Sequence, residues 1–179
     1  MGLLMRQTAE QEILLALGLS AWPSRWRGLV PTPDAQRLTM IGRSPFGRIV
    51  WLRPEAARAW AAMHVAARQD GVTLLPVSGF RSRQRQAELV VAKLRRGQSL
   101  EQILSVSALP GFSEHHSGWA IDLACDSATG LHEAFEQTTA YAWLLQHAEN
   151  FGFRLSYPRN NVSGFEFEPW HWCWSEDPR

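Results

Sequence analysis

Apolar residues near the start of the chain recur at helical spacing, with Ile13, Leu14 and Leu17 on one face of a helix predicted to run to about Leu19. Trp22 to Pro33 is rich in Trp, Pro and Gly without a period, which predicts an irregular wrap. The short, partly β-branched runs "RLTMIG" and "RIVWL" flank "RSPFG", whose Pro and Gly are turn formers, so a hairpin is predicted there. Pro54 suits a first helical turn, and "EAARAWAAMHVAARQ" sets Trp60, Met63 and Ala67 on one face before Gly71 ends the helix. His64, on or beside that face, reads as an ordinary helix histidine. "TLLPVSGF" predicts a buried strand leaving through Gly79, and "RSRQRQAELVVAKLRRG" a helix with solvated charges that stops at Gly97. Arg81 falls at the strand-to-helix junction, where a side chain can be aimed into a cleft.

A loop through Pro110 and Gly111 leads to "GWAIDLA", a short strand with Trp119, Ile121 and Leu123 on one face and Ala120 and Asp122 on the other. "TTAYAWLLQHAENFG" predicts a long helix with two alternative inward faces, Ala142, Leu145 and Ala148 or Trp143, Gln146 and Asn150. The closing "FEFEPWHWCWSE" reads as an extended segment, with Trp170, Trp172 and Trp174 on one side and His171 and Cys173 on the other. Helices and short strands mix without a βαβ repeat, which predicts a single α+β domain.

Composition narrows the partners. With 45% hydrophobic and 20% charged positions over 179 residues, the chain can bury one sizeable core. Eighteen basic against seventeen acidic side chains leave no field to attract a phosphate backbone or an anionic bilayer, so neither nucleic acid nor membrane is expected as a partner. Oligomeric state is not legible. Cys125 and Cys173 lack the spacing of a thiolate zinc site or a disulfide framework. The apolar run "ILLALGLSA" is short and follows Glu10 and Glu12, which fits an amphipathic helix better than a signal peptide, and a cytoplasmic location is the expectation.

Zinc hydrolases take three protein ligands from His, Asp or Glu and keep a fourth position open for water. His115 and Asp122 flank one strand start, and His171 lies on a strand whose other face is a tryptophan wall. Glu168 supplies a further carboxylate to take a proton from water attacking a carbonyl. Outside a helix the His-x6-Asp spacing does not fix geometry, and a surface loop with a capping aspartate has the same pattern. The helical HExxH pattern is absent: "HEAFE" has Glu136 where a second histidine would stand, leaving His132 and Glu133 as loop and helix-start residues.

"SEHHSGWAID" fits the pattern SxHxxGxAxD, "SGFRS" is similar to a segment SGYRS, and "EPWHW" follows in the same order. Together they resemble the zinc D-alanyl-D-alanine carboxypeptidases of the VanY type. The resemblance covers Ser78 to Trp172, and no motif of that family precedes the hairpin. It implies a VanY-like domain over 36–179, preceded by the helix and wrap of 1–35, with a small, mostly antiparallel sheet flanked by helices and zinc in a central cleft. It further implies His115, Asp122 and His171 as zinc ligands, Glu168 as catalytic base, and Arg81 facing the reacting peptide. Ser113 and Gln86 match positions that line the substrate pocket. The substrate class implied is the peptidoglycan stem peptide or muropeptide, cut at the L,D bond of tetrapeptides or the D,D bond of pentapeptides, with muropeptide recycling as the setting for the L,D option. A phage-like endopeptidase and a non-catalytic zinc or fragment-binding module are the alternatives.

His116 reads as a flanking residue beside the first ligand. Cys173 and Trp174 depart from the Arg and Tyr that often follow "WHW" in that family, and Cys173 reads as a buried apolar cysteine. Strict strand alternation places Glu168 on the Trp170 side, away from His171, whereas its implied role needs the His171 side. Pro169 between them forbids a regular ladder.

Overall fold

The computed structural model describes residues 2–126 and 130–176, with the side chains of the first helix described from Ala9 onward. Its elements in order are α1 (Gly2–Ala16), β1 (Thr39–Arg43), β2 (Ile49–Leu52), α2 (Pro54–Gln69), β3 (Leu75–Ser78), α3 (Arg83–Arg95), α4 (Leu100–Ser105), β4 (Ala120–Ala124), α5 (Thr139–His147), β5 (Phe153–Leu155) and β6 (His171–Trp174). Three 3-10 turns, Glu114–Ser117, Glu133–Gln137 and Ala148–Phe151, join them. The fold is α+β, as the mixed pattern predicts. No described helix is long and apolar enough to cross a membrane.

Strands β1 and β2 form the predicted hairpin, with an irregularity between Met40 and Gly42. The main sheet has the order β3-β4-β6-β5, with every neighbour antiparallel. Pro76 sits in β3, an edge strand, where a missing N–H leaves no gap in a ladder. The hairpin docks on the end of β3 because Gly79 has no side chain: a Cβ there would collide with the Trp51 carbonyl oxygen, which accepts the Phe80 N–H at 2.7 Å.

Inner strand β4 is buried at every position, and its alternation separates two environments. Ile121 and Leu123, with Trp172 of β6, enter an apolar core built with Leu52, Trp60, Met63, Leu144 and Phe153. Asp122 and His171 project from the opposite face. A second apolar cluster gathers Ile13 of α1, Val90 and Val91 of α3, Ile103 of α4, and Leu109, Phe112, Tyr157 and Phe165 from loops. Helix α1 is pinned to α3 by Glu10–Arg83 and Glu12–Arg95 ion pairs, both at 2.8 Å.

Neither face predicted for the α5 region is the inward one. Ala140, Trp143, Leu144 and Ala148 are buried, while Leu145 is 57% exposed. Trp143 and Leu144 are consecutive, so the buried stripe is wider than a strict three-residue step suggests. Helix α4 and strand β5 are additions to the sequence reading. The first is only six residues long and is started by a capping box, with Ser99 accepting from Gln102 N–H and the Gln102 side chain accepting from Ser99 N–H. The second has three residues, too few to show a period.

Candidate metal centre

The three imidazole and carboxylate candidates converge. In the β4–β6 pair, Asp122 lies directly opposite His171, so one rung of the sheet delivers two donors to the same face. His115 comes from the 3-10 turn that precedes β4. That turn reverses at Gly118, whose φ of 73° is left-handed, and a Cβ there would come within 3.2 Å of Ala35 and Arg53. Asp122 Oδ2 lies 3.2 Å from His115 Nε2, and Asp122 Oδ1 lies 3.0 Å from His171 Nδ1. One donor atom from each residue falls within 4.8 Å of the others, and all three residues are buried.

The outer nitrogen of each imidazole is already committed. His115 Nδ1 donates to Gly79 O at 2.7 Å. His171 Nε2 donates to Glu114 Oε2 at 2.8 Å, and the same oxygen accepts from Ser156 Oγ at 2.6 Å. These bonds fix both rings and leave His115 Nε2 and His171 Nδ1 turned toward Asp122, the arrangement in which histidines serve as metal ligands. Two neutral-nitrogen donors and one carboxylate make a three-ligand set with room for further coordination, which fits zinc. Glu114 leaves no mark in the sequence, because an acid beside a histidine in a turn has no spacing signature of its own.

Electrostatics reinforces the geometry. Burial pushes the Asp122 carboxyl up, but the charges and hydrogen bonds of His115 and His171 outweigh it and hold it far below the ordinary carboxylate range. His171 is opposed by burial yet raised to about 10 by its bonds to Asp122 and Glu114. Burial dominates at His115 and lowers it.

Glu168 lies on the His171 side. The chain turns through Pro169 and Trp170, His171 N–H donates to Glu168 O at 3.1 Å, and the Glu168 carboxylate comes within 3.9 Å of His171 Nδ1. Parity fails here because Glu168 precedes the strand. Burial raises its carboxyl to about 7, against the pull of His171.

Glu168, Arg81, Ser113 and Tyr157 line a cavity of about 360 Å³ over the three candidate ligands. It continues past Arg81, Lys93 and Ser107 into a groove of about 590 Å³ bounded by Gln86 and the hairpin residues Phe46 and Ile49. Arg81 N–H donates to His115 O at 3.1 Å, while Arg81 Nε is buried without a hydrogen-bond partner. Gln86 lines the groove rather than the inner cavity, and its Nε2 donates to Ala108 O at 2.5 Å.

His116 is more than a flanking residue. It is fully buried, its Nδ1 donates to Arg81 O at 2.6 Å, and its Nε2 accepts Gly111 N–H at 3.0 Å, so a neutral ring ties the Arg81 backbone to the loop before the ligand turn. Cys125 and Cys173 form no disulfide. Cys173 lies outside the donor cluster, with its thiol pushed up by burial and by Glu114.

Comparison with known proteins agrees with this geometry. The family model for VanY, D-alanyl-D-alanine carboxypeptidase, matches residues 49–177. YodJ of Bacillus subtilis (strain 168), named as a carboxypeptidase, is 36% identical over 125 residues, covering 68% of this chain and 45% of that protein. A D-alanyl-D-alanine carboxypeptidase of Enterococcus faecalis (strain ATCC 700802 / V583) is 32% identical over 117 residues, covering 60% of this chain and 42% of the relative. The chain thus spans less than half the length of these two relatives. Among solved structures, the LdcB LD-carboxypeptidase, described with peptidoglycan recognition, superposes with a TM-score of 0.73 at 30% identity over 82% of this chain and 72% of that one. A variant of the vancomycin-resistance D,D-pentapeptidase VanY in complex with Zn(II) gives a TM-score of 0.61 at 27% identity, covering 81% and 83%. With most of its length matched by that model, and with two sheet donors and one from the turn before β4 converging, the chain belongs to the VanY family of D-alanyl-D-alanine carboxypeptidases.

Proposed function

We propose that the chain is a zinc-dependent carboxypeptidase that releases C-terminal D-alanine from peptidoglycan stem peptides or muropeptides. The observation that carries this reading is the donor cluster of His115, Asp122 and His171, within 4.8 Å, with the Glu168 carboxylate 3.9 Å from His171 in the same cavity. His115 Nε2, Asp122 and His171 Nδ1 would hold the metal, whose contribution is Lewis acidity toward a carbonyl and toward water.

Glu168 supplies the proton transfers. A carboxyl raised to about 7 balances basicity against acidity near neutral pH, so it can accept a proton from attacking water and return it to the departing amine of D-alanine. Arg81 keeps a guanidinium on the cavity wall, with no described carboxylate within ion-pairing distance, to meet the negative charge that develops on the carbonyl oxygen. His116 holds the Arg81 backbone, and Glu114 holds His171. Ser113 in the inner cavity and Gln86 in the groove are the polar groups available to the peptide.

The likeness to the LdcB LD-carboxypeptidase, at a TM-score of 0.73 and 30% identity, is the support for the L,D bond of tetrapeptides as the preferred target. Incubation of the zinc-loaded protein with tetrapeptide and pentapeptide muropeptides, followed by mass spectrometry, tests both levels. Loss of one D-alanine from the tetrapeptide is expected. Processing of the pentapeptide alone overturns the bond preference, and release of no amino acid from either overturns the carboxypeptidase reading.

A further inference from the structure

Lys93 has no part in the chemistry above, yet it is the one lysine in a chain whose other seventeen basic residues are all arginine. It sits in the last turn of α3, where the charge pattern predicts a solvated side chain. Instead it is half-buried and lines both the inner cavity and the adjoining groove, as Arg81 does. Its ammonium donates to Ser107 Oγ at 2.8 Å, a neutral partner. An ammonium has three donors, and among the described residues no carboxylate lies within ion-pairing distance of Lys93.

Two cations thus share a cavity wall with Asp122 and Glu168, and among the described residues neither cation makes an ion pair. Burial, and then repulsion from Arg81, lowers Lys93 against the weaker pull of Glu168, which is the cost of placing this ammonium here. Asp122 is engaged by both histidines and Glu168 is needed for proton transfer, so neither is a free counter-ion. An anion from outside the chain satisfies the arrangement. We infer that Lys93, presented beside Ser107, is a specificity-determining residue that binds a carboxylate of the peptide substrate; this rests on the peptidase reading above. Arg81 is left to the reacting carbonyl. Two carboxylates are available on a stem peptide: the C-terminal one, and one on the side chain of the residue before the scissile bond when that residue is a diamino diacid such as diaminopimelate.

The test compares wild type, K93M and K93R, all zinc-loaded, by calorimetric binding and by turnover of a tetrapeptide with diaminopimelate third and D-alanine last. In K93M, Kd and KM are expected to rise about ten- to a hundredfold with kcat changed less than about threefold, the pattern of a contact made equally in ground and transition states. K93R should recover most of the loss.

Lysine in place of diaminopimelate, or amidation of the C-terminus, removes one carboxylate at a time. The peptide on which wild type and K93M bind alike identifies the carboxylate that Lys93 holds. Equal binding of the unmodified peptide by wild type and K93M, or a K93M penalty that survives both changes, overturns the inference. A wild type that cleaves the peptide with K93M indistinguishable removes this inference alone; a wild type that neither binds nor cleaves removes the peptidase reading with it.

Because Lys93 is the sole lysine, amine-reactive labelling gives a further readout free of catalysis. Bound peptide should slow modification of Lys93, read on its proteolytic fragment by mass spectrometry, by at least about fivefold at saturation. Unchanged labelling at saturating peptide counts against the contact.

Discussion

At the scale of single residues, the site separates groups that would hold the metal from groups that hold the holders. Glu168 belongs to neither: its carboxylate lies 3.9 Å from His171 Nδ1 on the wall of the inner cavity, and the proton-transfer role proposed for it has a direct test. Glu168→Gln keeps shape and hydrogen-bonding capacity while removing basicity, so kcat should fall by about 10²–10⁴, with zinc content measured by atomic absorption unchanged. Glu114 acts through His171, and Glu114→Ala should weaken zinc binding about 10- to 100-fold in a competition titration with a chromophoric chelator. The donors His115, Asp122 and His171, which the structure brings within 4.8 Å of one another, were legible through the resemblance carried by "SEHHSGWAID" and "EPWHW" rather than through spacing alone. Glu114, His116 and Lys93 were not. Their importance comes from partners 57, 35 and 14 residues away, and no local pattern announces such pairings.

At the scale of elements, alternation is what turns sequence into a site. The parity of "GWAIDLA" and "HWCW" correctly sent Ile121, Leu123 and Trp172 to the core and Asp122 and His171 to the cleft, because a strand leaves no other choice of face. Glu168 escaped the same rule because Pro169 and Trp170 form a turn before β6 begins. Helices were legible in existence but less so in orientation: in α5 the buried stripe runs through Ala140, Trp143 and Leu144, and Ala140 and Leu144 belong to neither predicted face. The six-residue α4 depends on its cap more than on a period. Ser99→Ala should therefore cost about 1 kcal/mol, seen as a lower urea midpoint with an unchanged slope.

At the scale of the whole molecule, the sheet stands between two apolar clusters, with the donor-bearing face of β4 and β6 between the main core and the α1–α3–α4 group. The loops crossing that face are fastened by buried polar contacts, His116 to Arg81 and Gly111, and Gln86 to Ala108. A cation bound by native geometry alone stabilises the folded state through mass action. Chelation should therefore lower the melting temperature, and zinc at a thousand times its Kd should restore about 4 kcal/mol, measured by calorimetry. The rung formed by Asp122 and His171 has one more effect. Sliding β6 past β4 by a single position would turn one donor of the pair into the hydrocarbon layer and leave an incomplete set. A cation present while the chain folds would thereby favour only the correctly zipped strands, tying the register of β4 and β6 to the filling of the donor set.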